Sequence, residues 1–430
     1  MKTVGIIAEY NPFHNGHAYQ IAEARRLTGA DCAVIVMSGD FVQRGAPAVF
    51  DKYTRTRAAL LSGADLVFEL PVYFATASAE AFAHAGVSML TEMGVDYICF
   101  GSESGDISAL SEIAGILAFE PDTFKAALSA ELKTGKCFPA AREKALQSVI
   151  KDMSGSKLSE IMREPNNLLG IEYLKALKRL EKSGKKVPLP ITVTRLGNYH
   201  PKMSANVTDT VLSRNSSASS QHRQSETQSF SSASALRLLL DHGSVSELIP
   251  HVPEEVFNIY SSHLALYNPV SDDSLSTLLS YSLLTTDISR LSTLAGWSEA
   301  LANRTAELPK NLSFSKTAEA LKSKNITLSR ACRMLLALIL KTDGNLLERS
   351  LESGVPYLRL LGMKEACGSV LKGIKKQSFV PVVNRPAPAG KSLEGDAKLI
   401  FEADIRAARL YDVLMKSKEP DEYQRGIIRL

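Results

Sequence analysis

The sequence predicts an α/β fold: a Rossmann-like parallel sheet at the N-terminal end, followed by a second, mostly helical domain. Three observations predict it. Short apolar runs alternate with amphipathic stretches over the first hundred residues. Beyond about Pro250 such runs fade and long helical patterns take over. A compact polar motif, rich in glycine and histidine, follows the first apolar run directly. Apolar strands alternating with amphipathic helices imply a parallel sheet covered on both faces.

The elements follow in order. Val4 to Ala8 is a buried-strand candidate, and Gly16 to Leu27 has helical spacing. Cys32 to Met37 (CAVIVM) is a second strand and Tyr53 to Ser62 a helix. Leu66 to Leu70 is a third strand, Ala77 to Leu90 a helix, and Tyr97 to Phe100 a fourth strand. Residues 105–185 read as helical, and Ile191 to Thr194 (ITVT) as a further strand. Met203 to Ser232 is rich in Ser, Asn, Gln and Thr, the composition of a mobile loop. Helical patterns resume in ASALRLLL and recur at Ala331 to Lys341 and Ala397 to Met415, interrupted by VPVVNRPAPAGKS, which reads as a loop. The domains expected are 1–245, binding a nucleotide, and 246–430, mainly helical. Ligands of open parallel sheets sit at the carboxyl ends of the strands. The segments after Ala8, Met37, Leu70, Phe100 and Thr194 are therefore where function is expected.

Composition narrows the classes. With 430 residues, 45% hydrophobic and 22% charged, the chain is long enough for two or three domains. A net charge of +4 permits a polyanionic partner without requiring one. Five dispersed cysteines, none in C-x-x-C spacing, read as reduced thiols. No apolar run reaches the ~20 residues of a membrane helix, and the polar N-terminus does not read as a signal peptide. A soluble, cytoplasmic protein without membrane contact is expected. Ala389-Gly390-Lys391-Ser392 imitates the end of a P-loop, but Arg385 stands where its first glycine belongs.

After the first strand comes E-Y-N-P-F-H-N-G-H, Glu9 to His17. The pattern suits a triphosphate. Gly16 allows close approach to the backbone. A helix N-terminus there offers N–H donors and the positive end of a dipole. His14 and His17 can donate to phosphoryl oxygens as charge develops on the α-phosphate. The competing reading is that the two histidines cap a turn. Further along, Gly39 suits a close approach to the backbone, while Asp40 either orients a substrate, holds Mg²⁺ through water, or is an ordinary turn residue. Arg44, Lys52, Arg55 and Arg57 are closely spaced cations, able to steer ATP or grip RNA phosphates. Arg55 and Arg57 cannot share a helix face, so Lys52 and Arg44 are the functional candidates. Gly101-Ser102-Glu103 ends the fourth strand, Asn166-Asn167 carries an N-cap signal, and Arg195 ends ITVT, well placed for a phosphate.

The HNGH segment resembles the T/H-x-G-H signature of the nucleotidylyltransferase superfamily, which is related to class I aminoacyl-tRNA synthetases. More specifically, VGIIAEYNPFHNGHAYQ, VMSGDFVQRGAPAVFDKYTRTRAALLSGADLVFELP, FGSESGD, EPNNLLGIEYLKAL and TRLGNYH, in that order, resemble the tRNA(Met) cytidine acetate ligase family. The resemblance is dense over residues 1–200. It implies an enzyme that uses ATP, with Mg²⁺, and acetate to make acetyl-adenylate. The acetyl group then passes to the wobble cytidine of elongator tRNA(Met), giving N4-acetylcytidine. It implies ATP contacts along Ile7, Ala8, Glu9, Tyr10, Asn11, Pro12, Phe13, His14, Asn15, Gly16, His17 and Gln20. Gly101, Asn167 and Arg195 join them, as do Ser234 and Arg237 from a segment resembling S-x-x-S/T-x-x-R. His14, His17, Asp40 and Lys52 are the expected catalytic residues. For the tRNA, Arg44, Arg330, Arg333, Lys375 and Lys376 are expected, although charge alone also fits a solvated helical surface. The alternative is a nucleotidyltransferase that adenylylates a phosphorylated small metabolite.

Overall fold

The computed structural model describes residues 1–195, 232–242 and 245–430. The expected serine-rich loop, 203–232, lies outside the described residues apart from Ser232.

The expected strands are present, with slightly longer bounds: β1 (Thr3–Ala8), β2 (Cys32–Ser38), β5 (Leu66–Leu70), β6 (Tyr97–Ser102) and β7 (Leu189–Thr194). A short hairpin, β3 (Phe41–Val42) with β4 (Ala46–Pro47), follows β2. Three strands come from the C-terminal part: β8 (Leu358–Met363), β9 (Val382–Val383) and β10 (Ile428–Arg429). The main sheet runs β10-β8-β5-β2-β1-β6-β7, with β9 also paired to β8. From β5 to β7 every pairing is parallel, and β8 lies antiparallel against β5.

The central strands β2 and β5 are buried on both sides. In β2, Cys32, Val34 and Val36 face one apolar cluster, while Ala33, Ile35 and Met37 face another. This alternation is the period of two of an extended chain. On the first face lie the helices Ala79–Glu92, Ile107–Phe119, Pro165–Lys182, Leu328–Leu340 and Gly395–Met415. On the second lie Asn15–Thr28, Lys52–Leu61, Ala233–His242 and Glu254–Leu264. The chain winds from β1 outward through β2 to β5. The helix Ala79–Glu92 then returns it to the other side of β1, where β6 and β7 follow. The direction of winding reverses between β1 and β6, and such a reversal opens a crevice at the carboxyl ends.

The C-terminal part departs from expectation in two ways. It is largely helical, yet β8 and β10 extend the N-terminal sheet. Arg359 interrupts the apolar run of β8 and conceals it in sequence, because its charge is neutralised only by residues far along the chain. The proline-rich segment read as a loop instead forms β9 and a short helix, Pro386–Ser392. Pro386 sits in its first turn, where the missing N–H costs nothing.

Candidate active site

The helix Asn15–Thr28 begins directly after β1, and His14 is its N-cap. His14 Nδ1 accepts from the Gly16 N–H at 3.0 Å, and His17 Nδ1 accepts from the His14 N–H at 3.2 Å. The two rings stack with centroids 3.8 Å apart. Both histidines thus cap the turn, and the cap engages only their Nδ1 atoms. With each Nδ1 acting as an acceptor, the neutral ring carries its proton on Nε2. Two parallel imidazoles thus have Nε2–H donors to offer.

The rings stay neutral. Burial lowers the pKa of His14 from 6.5 to about 3, with Arg195 and His251 adding to the shift. Burial, then His14 and Arg195, hold His17 well below the ordinary range. The helix amides do not play the expected role of free donors. Asn15 N–H donates to the His251 carbonyl at 2.9 Å, Gly16 N–H to His14, and His17 N–H to the His14 carbonyl at 2.9 Å. Pro250 and His251 lie against the first turn, where the Pro250 carbonyl also accepts from Asn15 Nδ2 at 3.1 Å.

These shifts fix a pH dependence. Between 6.5 and about 3 the unfolded chain takes up a proton that folded His14 refuses. Stability present above pH 6.5 is therefore lost as pH falls through that window, by up to about 1.4 kcal/mol per pH unit for each such histidine. Urea unfolding at pH 7 and pH 5 should show the loss, with a smaller one in His14→Asn. Equal dependence in the two proteins would refute the assignment.

The rest of the motif is held from behind. Arg55, fully buried, donates to the carbonyls of Glu9 (2.7 Å), Ser38 (3.0 Å), Phe50 (2.8 Å) and Gly39. It is the fastener between the ends of β1 and β2. Glu9 Oε1 accepts from the Gln43 N–H at 2.7 Å, and Asn11 Oδ1 from the Val49 N–H at 2.9 Å. Tyr260, far along the chain, holds Phe13 from both sides of its peptide: its hydroxyl accepts from the Phe13 N–H at 2.8 Å and donates to the Phe13 carbonyl at 3.4 Å, while its ring stacks on Phe50. Tyr10, with φ of 50°, packs its ring edge-on against Phe13 and His17. Ile7 is in the core beneath, and Ala8, Gly16 and Gln20 are half-buried.

Across the crevice, Arg195 leaves β7 beside Gly101 of β6, its Cγ 3.3 Å from where a Gly101 side chain would begin. Its Nη1 donates to Asn166 Oδ1 at 3.2 Å. The asparagines do not cap their helix as expected. They sit inside it, at its second and third positions, and Glu103 caps them from the loop after β6. Asn167, 1% exposed, spends its amide on the Ser104 N–H and the Ile161 carbonyl. It shapes the loop next to Gly101. Glu103 was part of the quoted FGSE segment but had no assigned role, since its partners lie more than sixty residues away.

On the same side as the HNGH turn, Ser234 Oγ accepts from Arg44 Nη1 (3.1 Å) and Arg237 Nη2 (3.0 Å). Arg237 Nη1 also donates to the Asn11 carbonyl at 2.7 Å. Capping of that helix falls to Ser232, which accepts from Ala235 N–H. Arg333 reaches the Gln43 carbonyl at 3.4 Å, so the helix bearing Arg330 and Arg333 lies against the hairpin bearing Arg44. Gly45, at φ 83°, permits this contact: a Cβ there would lie 2.3 Å from the Arg333 nitrogen. Lys375 and Lys376 belong elsewhere. Their helix, Gly368–Gln377, is bonded through Gln377 to Met93, just before β6 and so at the amino ends of the parallel strands.

Asp40 and Lys52 are buried behind the motif. Asp40 Oδ1 accepts from the Lys52 N–H at 2.7 Å, and burial raises its pKa to about 7. Lys52 Nζ lies 2.9 Å from Glu69, 2.7 Å from Glu422 and 3.8 Å from Asp40. Arg359 completes the cluster, pairing with Glu69 at 3.1 Å and with Glu422. The charge of Lys52 is thus balanced inside the protein, and Asp40 accepts at the start of the helix Lys52–Leu61.

The model of the HIGH Nucleotidyl Transferase family matches residues 1–425. The tRNA(Met) cytidine acetate ligase of Acetivibrio thermocellus is 35% identical over 436 residues, covering all of both chains. That of Clostridium perfringens is 37% identical over 425 residues, covering 97% of this chain and 96% of the relative. Two crystal structures of Thermotoga maritima TmcAL, each 31% identical and each fully covered, superpose with TM-scores of 0.85 (bound with alpha-thio ATP) and 0.86 (apo). An ATP analogue on so similar a frame, and relatives matched from end to end, leave one conclusion: the chain belongs to the tRNA(Met) cytidine acetate ligase family.

Proposed function

We propose that the chain activates acetate with ATP and acetylates the wobble cytidine of elongator tRNA(Met), releasing AMP and pyrophosphate and leaving N4-acetylcytidine. The observation that carries this reading is the pair of neutral, stacked imidazoles at the end of β1, faced by Arg195. In the first step an acetate oxygen attacks the α-phosphorus of ATP and pyrophosphate leaves. The Nε2–H groups of His14 and His17 donate to oxygens that gain charge in that transition state. Neutral donors suit this role, because they need neither gain nor lose a proton. Arg195, Arg44 and Arg237 supply positive charge for the phosphates. Burial and the neighbouring Arg44 depress the pKa of Arg237, so a bound anion would relieve a real cost. Mg²⁺ in this scheme arrives with the ATP phosphates; Asp40, committed to Lys52, does not fit as its ligand.

In the second step the cytidine amine attacks the mixed anhydride and AMP departs. An anticodon loop presents its bases at low unstacking cost. Arg44, Arg330 and Arg333 lie around the hairpin next to Ser234 and form the near part of the RNA surface. Lys375 and Lys376, at the amino ends of the parallel strands, meet only a distant part of the tRNA in this reading.

The test is mass spectrometry of nuclease-digested elongator tRNA(Met) after incubation with the protein, ATP, Mg²⁺ and isotopically labelled acetate. The expected result is one labelled acetyl group on the wobble cytidine. Pyrophosphate release without acetylated tRNA, and with AMP retained on a small phosphorylated acceptor, would replace this reading with nucleotidyl transfer.

A further inference from the structure

Away from the active site, at the amino ends of the parallel strands, three metal-ligating side chains converge. Cys32 opens β2, Asp65 immediately precedes β5, and Cys367 closes the turn after β8. One ligand atom from each lies within 4.8 Å of the other two, and all three residues are buried. Asp65 Oδ2 accepts from the Ala33 N–H at 2.7 Å and from Arg25. Among the described residues, no donor is bonded to its Oδ1, which leaves that atom available.

We propose that Cys32, Asp65 and Cys367 form a site for a thiophilic divalent cation of the Zn²⁺ class, which fastens the C-terminal part to the sheet. The donor set is the first reason. Two sulfurs and a carboxylate oxygen match borderline-soft cations and do not match Mg²⁺ or Ca²⁺. Tetrahedral Zn²⁺ needs ligand atoms roughly 3.3–3.8 Å apart, so the three need only a small contraction, and a water molecule takes the fourth position.

Charge balance is the second reason. Without metal, two neutral thiols, the Asp65 carboxylate and the Arg25 guanidinium sum to zero. On loading, two S–H bonds break and both protons leave to solvent. Two metal–sulfur bonds and one metal–oxygen bond form, and no electron changes hands. Two thiolates, one carboxylate, one guanidinium and one dication again sum to zero. Burial, which opposes a net charge, does not oppose this exchange. Arg25 then orients the ligating carboxylate through its other oxygen, as partners of metal ligands commonly do.

The role is structural. Residues 32, 65 and 367 are distant in the chain, and a metal that binds only the folded state raises its stability. The experiment uses the full-length, reduced protein with Zn²⁺ alone, by equilibrium dialysis and thermal unfolding, and Co²⁺ as a spectroscopic probe. We expect one equivalent of Zn²⁺ per chain, a higher melting temperature, and a sulfur-to-cobalt charge-transfer band. Cys367→Ser and Cys367→Ala should abolish all three while keeping the wild-type circular dichroism. Cys137→Ser, at a half-buried cysteine elsewhere, should leave them intact. Substoichiometric binding by the wild type, or a band that survives Cys367→Ser, would overturn the proposal. So would a Cys32–Cys367 disulfide that forms equally fast with Zn²⁺ present.

Discussion

Replacing His14 or His17 by asparagine should lower acetate-dependent exchange between pyrophosphate and ATP by about 100- to 1000-fold. Asparagine is the informative choice. Its side-chain oxygen can stand where Nδ1 stands and accept the same backbone N–H, but nothing of it reaches the Nε2 position. The cap survives and the donor is lost. His14 Nδ1 caps Gly16, and His17 Nδ1 holds the His14 N–H, so alanine would remove both functions at once. The melting temperature of the asparagine variants should stay near that of the wild type. The loss should fall on the exchange rate more than on ATP affinity, because the donors act mainly on charge that develops in the transition state. Exchange within a few-fold of wild type in both variants would mean that the imidazoles only cap.

Replacing Glu422 by glutamine should cost about 3–5 kcal/mol of folding stability. Glu422 is fully buried; burial by itself pushes its pKa up, but Lys52 and Arg359 beside it hold it down at about 2, so it stays charged at any working pH. Glutamine keeps the acceptor oxygen that Tyr53 uses but not the charge: Lys52 loses a counter-charge at 2.7 Å, Arg359 loses one of its two carboxylates, and a buried –NH₂ takes the place of an oxygen that has no hydrogen-bond partner. Two cations would then crowd on Glu69. The cluster has one remedy: Lys52→Met with Glu422→Gln removes one charge of each sign. The double variant should be more stable than the sum of the single losses implies, a coupling that urea unfolding can measure. Additive losses would show that the four charges do not act as a unit. Lys52→Met also separates structure from chemistry. Its exchange rate per folded molecule should remain near wild type, and a 100-fold fall would return this lysine to the catalytic set.

Much was legible in the sequence because it is local. Apolar runs and helical spacing place β1, β2, β5, β6 and β7 and the helices between them to within a few residues. The HNGH turn announces itself, since a strand, a glycine and two histidines at i and i+3 occupy adjacent positions. The roles of individual polar residues were less legible. Lys52 and Arg55 look alike in sequence as closely spaced cations after the motif, and Arg359 as one charge within an apolar run. The first and third are neutralised by carboxylates, and the second is consumed by four backbone carbonyls.

By itself, then, the sequence determined the parallel sheet, the strand ends at which function is expected and the histidine pair at the first of them. Periodicity and short-range spacing encode those directly. Only the tertiary structure decided that Glu103 caps the helix of Asn166 and Asn167, that the His251 and Pro250 carbonyls take the backbone and side-chain amides of Asn15, and that β8 and β10 extend the first sheet. Each of these depends on groups from tens to hundreds of residues apart. A buried charge or a free N–H must find a partner somewhere, but which partner it finds is set by packing and not by neighbourhood along the chain.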